Sequence, residues 1–569
     1  SGATSITAGV VGASSNAALG GTTGTTTLTS GAALELSGTL TAFAEPLTLS
    51  GSGVGSNGAL RVTSGTATMS GAVTLGTATE IQIESGATLT SSSAISGTYN
   101  LTVESIGTST LSGVIGTSTG TLTKTGAGQL TISGASANTY TGATSIDGGT
   151  LVVSKTSALG TSAGGATVSD GATLQVGNYT VADALTISGT GVSSAGAVNF
   201  TAGGTLGSTV ALAANSTVQV ASSQSATISG AVSGSYAFTK SGSGTLTLAG
   251  TNTYSGDTTI ADSGGTLAIS GVLGSGSYSG AISLGSSSTI SIASASNQTL
   301  SGVISGTGQV SKSAAGTLTL SATNTYEGAT TILGGTISIS SDRNLGAVPS
   351  TFTAAALSIN GGTLSVSESL TLNTARGITL GTNDATLTVA SGKSLIAASV
   401  IAGLSGADLT KSGTGTLGVT ASNTYVGTTT VSQGILNVSN ATGLGGSSSG
   451  QGTTVSANAA VEVTTVDGLS VAEPLTISGT GVSSAGALRS GGGANTWSGP
   501  ITLAANAEIE IADQISWVST LELSGGVSGA FKLTMETVGN GASTISGAIA
   551  TGTGSLEKTG TGTLTLSAA

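Results

Sequence analysis

The sequence predicts an all-β solenoid: a right-handed parallel β-helix of short strands and Gly-rich corners, running as one continuous rod through residues 1–569. Three observations carry that prediction. Apolar residues alternate with Thr or Ser over four or five positions, glycine-bearing dipeptides punctuate those runs, and a degenerate motif returns five times.

The alternation is seen in Ile81 and Ile83, Leu246 and Leu248, Ile337 and Ile339, Ile501 and Leu503, and Leu564 and Leu566. Period two puts one face of a strand in a core and the other in water. Between the runs lie Ser-Gly, Gly-Gly and Asn-Gly pairs, whose glycines accept positive φ and let the chain corner sharply. Gly256 and Gly328, just after an Asn-Thr-Tyr, are expected to be such corners. Only four prolines interrupt the chain, which leaves the strands free to donate their ladder hydrogen bonds. The strands are too short, and the motif copies too far apart, for hairpins with two-residue loops. Parallel coiling remains, and parallel crossovers are right-handed by default. A coil of about 22 residues cannot repay its own ordering entropy, so coils are stable only when stacked. At a strand spacing near 4.8 Å, about 25 coils make a rod on the order of 120 Å long.

The motif begins near residues 124, 240, 312, 411 and 558. It reads KTGAGQLTISGASANTYTGATSI from Lys124, KSGSGTLTLAGTNTYSGDTTI from Lys240, KSAAGTLTLSATNTYEGATTI from Lys312 and KSGTGTLGVTASNTYVGTTTV from Lys411. KTGTGTLTLSAA from Lys558 is a first half, and residues 1–20, opening SGATSI, read as a second half. Tail and head are in phase, so the expected partner is the chain itself, as further repeats in one polypeptide or as protomers stacked end to end. The lysines are separated by 116, 72, 99 and 147 residues, as expected where whole coils can be inserted without loss of register. A second pattern links EPLTLSGSGVGSNGALRV from Glu45, ALTISGTGVSSAGAVNF from Ala184 and EPLTISGTGVSSAGALRS from Glu473, and reads as a further type of coil.

Composition excludes several classes. Ser/Thr-rich chains with 94 glycines are usually disordered, but a mean hydropathy of +0.37 and regularly spaced Leu, Ile and Val argue for order. A net charge of −12 without basic clusters offers nothing to grip a phosphate backbone. The longest apolar run, Leu395 to Leu404, is half of a membrane span. With no Cys there is no disulfide framework or thiolate metal site, and with no His there is no Ser-His-Asp triad or imidazole ligand.

GTLTLSxTNTYxGxTTIxxGTL, as it stands from Gly316 and from Gly244, resembles the autotransporter-associated β-strand repeat of bacterial autotransporter passengers and giant surface proteins. The resemblance implies a right-handed parallel β-helix exported across the outer membrane, a stalk role for the repeat, and no catalytic residue within it.

The remaining candidates for chemistry are few. Glu508 and Glu510 share one face of a strand, and Glu80 and Glu84 flank another; such pairs suit Ca²⁺ or general acid–base work, against the ordinary reading of a wet strand face. Arg61, Arg343, Arg376 and Arg489 are isolated in sequence. Five of the eight lysines open the motif and read as outward gatekeepers against lateral sheet pairing. Asn138, Asn252, Asn324 and Asn423 read as local corner caps, with Tyr140, Tyr254, Tyr326 and Tyr425 covering the corners. Trp497 and Trp517 read as a sugar-contacting patch or a local plug.

The expected function is therefore non-enzymatic: an extracellular or cell-surface stalk, filament or matrix fibre, with no catalytic, cofactor-binding or metal-binding residue. An adhesin passenger binding carbohydrate or a host or neighbouring-cell surface is the alternative, and a polysaccharide-active β-helix enzyme a further one.

Overall fold

The computed structural model describes residues 2–446, 451–512 and 519–567. By internal contacts the chain forms two units, Ser1–Ile290 and Ser291–Ala569. Each is a parallel β-solenoid built from short strands.

In the first unit one coil consists of Thr88–Ser91, Ile95–Gly97 and Leu101–Ser105. Each strand pairs in parallel with its counterpart in the next coil, Thr88 with Thr108, Ile95 with Ile115 and Leu101 with Leu122. In the second unit Gly362–Val366, Leu370–Leu372 and Arg376–Leu380 do the same, pairing Leu364 with Leu387, Leu370 with Leu395 and Ile378 with Ile401. Alternation places Leu89, Ile95, Leu101 and Val103, or Leu364, Val366, Leu372 and Ile378, inside, where they are buried. Burial of these inward columns, at about 2 kcal/mol per aliphatic side chain, is the main cohesive term. The described helical turns are short 3₁₀ segments such as Val54–Ser56 and Asp342–Leu345.

The second sequence pattern forms a coil with an inserted loop. Leu47–Gly51, a 3₁₀ turn and Leu60–Val62 are all spanned in the next coil by one long strand, Val73–Ile83, which pairs with both flanks. Val210–Val220 and Ile501–Ile511 are the equivalent long strands, and the register shifts at the same place in all three copies.

Ladder register also locates the motif copies. In the first unit Lys240 stacks through Val218, Val198, Leu174 and Leu151 on Leu130, which lies in the strand following that of Lys124. In the second, Lys411 stacks through Leu387, Leu364 and Ile337 on Leu318, in the strand following Lys312. Lys558 stacks through Met535, Ile509, Leu488, Val461 and Leu436 on Leu417, in the strand following Lys411. Within each unit, then, successive copies begin one face further round.

The corners correct one expectation. Gly256 and Gly328 are not among the positive-φ residues, whereas serines such as Ser118, Ser263 and Ser483 are. What demands glycine is proximity: a Cβ on Gly256 would lie 2.3 Å from the carbonyl of Tyr236, and one on Gly328 2.1 Å from the Gly308 oxygen. Gly256→Ala is expected to lower stability by about 1–3 kcal/mol through overpacking. Gly12→Ala, whose Cβ meets nothing within 4 Å, serves as the control and should cost only a few tenths; thermal melting and limited proteolysis of the pair measure the difference.

Candidate functional site

The recurring polar residues of the motif converge inside the solenoid. Lys124, Lys240, Lys312 and Lys411 are fully buried, which overturns their reading as outward gatekeepers. Inward placement follows from register: Lys124 lies opposite Val103 and Ile146 in an apolar column. Each ammonium curls to the corner and donates to main-chain carbonyls. Lys124 Nζ donates to Thr125 O at 2.6 Å, Gly126 O at 2.7 Å and, in the next coil, Gly148 O at 3.0 Å. Lys240 reaches Ser241, Gly242 and Gly264 in the same way, and Lys411 reaches Ser412, Gly413 and Gln433. Lys312 donates to Ala314 and Ser294, and half-buried Lys558 to Thr559 and Gly560. Three donors on a flexible stem suit a ring of carbonyls better than the planar fork of arginine. Burial pushes Lys124, Lys240 and Lys411 down to about 8, and Lys312 in the same direction.

The asparagines do not merely cap their own turn. Asn138 Oδ1 accepts from Ile115 N in the preceding coil at 2.9 Å, and its Nδ2 donates to Ala158 O in the following coil at 2.7 Å. Asn324 joins Ile304 to Asn344 and Asn423 joins Ile401 to Gly443 alike, with Nδ2 distances of 2.6 Å in both. Asn252 joins Val232 to Val272 and also donates locally to Gly250 O. The amide thus carries the ladder across three coils where the main chain turns away. Tyr140, Tyr254, Tyr326 and Tyr425 lie in the core rather than over the corner. Their hydroxyls share hydrogen bonds of 2.6–2.8 Å with Thr144, Thr258, Thr330 and Thr429, four residues on.

Two elements of this site escaped sequence reasoning. The first is a Leu-Gly pair whose Gly160, Gly346 or Gly445 follows the tyrosine by twenty residues. Gly346 has φ +90°, and a Cβ there would lie 3.0 Å from the Tyr326 ring and 2.4 Å from its carbonyl oxygen. Recurrence of Leu-Gly at that offset was the available signal. The second is a buried plug above the tyrosine. Ladders run Thr144–Ala166–Leu185, Thr330–Leu357–Ile378 and Thr429–Thr453–Leu475. Two residues before the last member of each stand Asp183, Arg376 and Glu473, all nearly inaccessible. Glu45 occupies the same place relative to Thr26 and Leu47, and accepts from Thr26 Oγ1 at 2.6 Å. Above Tyr254 the space is taken by Tyr278, with ring centroids 5.6 Å apart and a 2.8 Å bond to Thr258.

Arg376 pairs with Asp342 at 2.9 Å and donates to Leu345, Gly346 and Ala347 carbonyls. Asp183 and Glu473 have no such counter-ion: among the described residues neither forms an ion pair. Burial raises Asp183 to about 6 and Glu473 to about 7; in the latter a hydrogen bond from Thr453 opposes the rise.

Outward acids are gathered by the ladder. Arg61 bridges Glu35 at 3.0 Å and Glu84 at 2.6 Å, so Glu84 is committed to an ion pair rather than to Glu80. Glu80 is pushed up by burial and by Glu104. Glu508 and Glu510 do share the outer face of one strand; Glu510 lies between Arg489 and Glu536 in the adjacent coils. Burial, with a hydrogen bond and charge from Glu536, raises Glu508 to about 7. Such a group can share a proton, but among the described residues no cluster of three or more acids is arranged to hold a metal ion. Arg343 lies in the 3₁₀ turn Asp342–Leu345. Trp497 is fully buried with Nε1 donating to Glu473 O at 2.9 Å, so it is a plug and not a sugar-contacting surface; Trp517 lies outside the described residues.

These features define a parallel β-solenoid whose coils are stapled by a recurring set of buried Lys, Asn and Tyr side chains. Five segments, residues 122–153, 238–269, 311–339, 409–438 and 556–569, match the passenger-associated-transport-repeat family. Repeat and solenoid together fit an autotransporter passenger domain. No curated protein and no solved structure shows a significant match to the chain.

Lys240→Met is expected to destabilise its corner by about 1–3 kcal/mol, because the carbonyls of Ser241, Gly242 and Gly264 lose their donor. The pH dependence has a definite sign. Between about 8, the folded value, and 10.5, the ordinary value of a lysine, the unfolded chain keeps a proton that the native Lys240 has lost, so its contribution to stability rises with pH. Urea unfolding at pH 7.5, 9 and 10.5 should show that rise in the wild type and a smaller one in Lys240→Met.

Proposed function

We propose that this chain is a non-enzymatic scaffold of a secreted or bacterial-surface autotransporter passenger, serving as a stalk, filament or matrix fibre. One observation supports this reading above others. The polar residues that recur in the motif are turned inward and engaged with neighbouring coils, so what the repeat preserves is cohesion rather than an exposed reactive group. Further coils, in the same polypeptide or from a second copy, extend such a column by the same rules. Lys124, Lys240, Lys312 and Lys411 each face Ile146, Ile260, Ile332 or Val431 in the next coil, and SGATSI supplies Ile6 in the matching place for Lys558.

An adhesin is the second reading. Its support is the outward acidic group of Glu508, Glu510 and Glu536, together with exposed Tyr99, Tyr236 and Phe531 at corners. Negative-stain images of the purified protein should show rods or fibres, and compact particles would contradict the scaffold. Screening against neutral and uronate polysaccharides should detect no cleavage. Glu508→Gln and Glu510→Gln should leave assembly unchanged; calcium-dependent product formation lost in those variants would overturn the scaffold reading. Binding to a glycan array lost in the same variants would favour the adhesin.

A further inference from the structure

The plug above the tyrosine takes three chemical forms: a neutral phenol at Tyr278, an arginine with its own carboxylate at Arg376, and lone carboxyls at Asp183 and Glu473. The lone carboxyls are 3% and 4% exposed. Asp183 Oδ1 has no hydrogen-bond partner. The reason is a single substitution within the pattern: Thr453 donates to Glu473 at 3.3 Å, whereas the equivalent position below Asp183 is Ala166. The titratable groups facing these carboxyls are phenols, Tyr140 below Asp183 and Tyr425 below Glu473, each already bonded to a threonine. A phenol in such a place offers no charge to offset an ionised carboxylate, and an unpaired charge in an apolar core is expensive.

We propose that the corners plugged by Asp183 and Glu473 are pH-responsive weak points of the solenoid, closed while the buried carboxyl holds its proton and prone to local opening once it ionises. The Arg376 corner, which carries its own counter-ion, stays closed over the same range. The sign follows from linkage. A carboxyl whose folded value is raised contributes most at low pH, and that contribution is lost between the unfolded and folded values, 3.8 to about 6 for Asp183 and 4.5 to about 7 for Glu473. Opening lets the carboxylate hydrate, so ionisation increases the open population by up to about tenfold per pH unit within the window, and by roughly a hundredfold across it.

The test is native-state hydrogen exchange of the whole chain at pH 4.5 and pH 8, with protection corrected for the chemical exchange rate. Ladder amides in residues 166–187 and 453–477 should lose tens- to a hundredfold of protection on raising the pH, while those in 357–380 around Arg376 change little. Asp183→Asn should abolish the loss in the first segment alone, and Glu473→Gln in the second alone. Equal pH dependence of all three segments in the wild type overturns the proposal without recourse to any variant. Persistence of the loss in a variant that remains protected at pH 4.5 overturns it for that corner.

Discussion

The parallel ladder is the constraint on which everything else depends. Once consecutive coils are hydrogen-bonded in register, each residue lies about 4.8 Å from a counterpart above and below, and its chemistry is judged against those neighbours first. Inward columns must be apolar throughout or carry a complete internal partner set. Where two corners nearly touch, as at Gly256 above Tyr236, no side chain fits at all. Where the chain leaves the ladder to turn, something else must satisfy the abandoned main-chain groups, and in the motif copies that is the amide of Asn138, Asn252, Asn324 or Asn423.

The same constraint explains why an apolar solenoid buries ammonium groups. Tight glycine corners aim several carbonyls at one point, and a carbonyl without a donor in the core costs about 1–3 kcal/mol. Lysine reaches that point from an inward position because its stem packs like an aliphatic side chain while its tip supplies three donors. The charge is tolerated because it replaces several unsatisfied acceptors at once. Asn and Tyr work similarly at the next corner of the coil, so the motif is a set of repairs to the ladder, distributed among intervening coils whose inward columns are largely aliphatic.

Much of the fold was legible because its signal is periodic. Alternation at Leu246 and Leu248, or Ile337 and Ile339, reports directly on burial, and parallel pairing followed from strand length. Side-chain direction at the polar positions was not legible. A lysine between threonines looks like part of a wet face, and only its place in the alternation, with Leu122 and Lys124 both inward, says otherwise. Glycine conformation failed for a related reason, since positive φ and close approach select the same residue and leave the same trace in sequence. The plugs at Asp183, Arg376 and Glu473 were hidden because their identity varies, even in sign of charge, while their place in the ladder does not. Trp497 likewise gave no sign of which way it pointed.

Each motif copy starts on the face following that of the copy before it within its unit. A lysine cage is a local interruption of an otherwise aliphatic inward column. Because the copies start on different faces, consecutive lysines within a unit fall in different inward columns, each flanked above and below by aliphatic residues. The spacings of 99 and 147 residues in the second unit can then differ by whole coils, because what separates two buried ammonium groups is the column each occupies and not the number of coils between them.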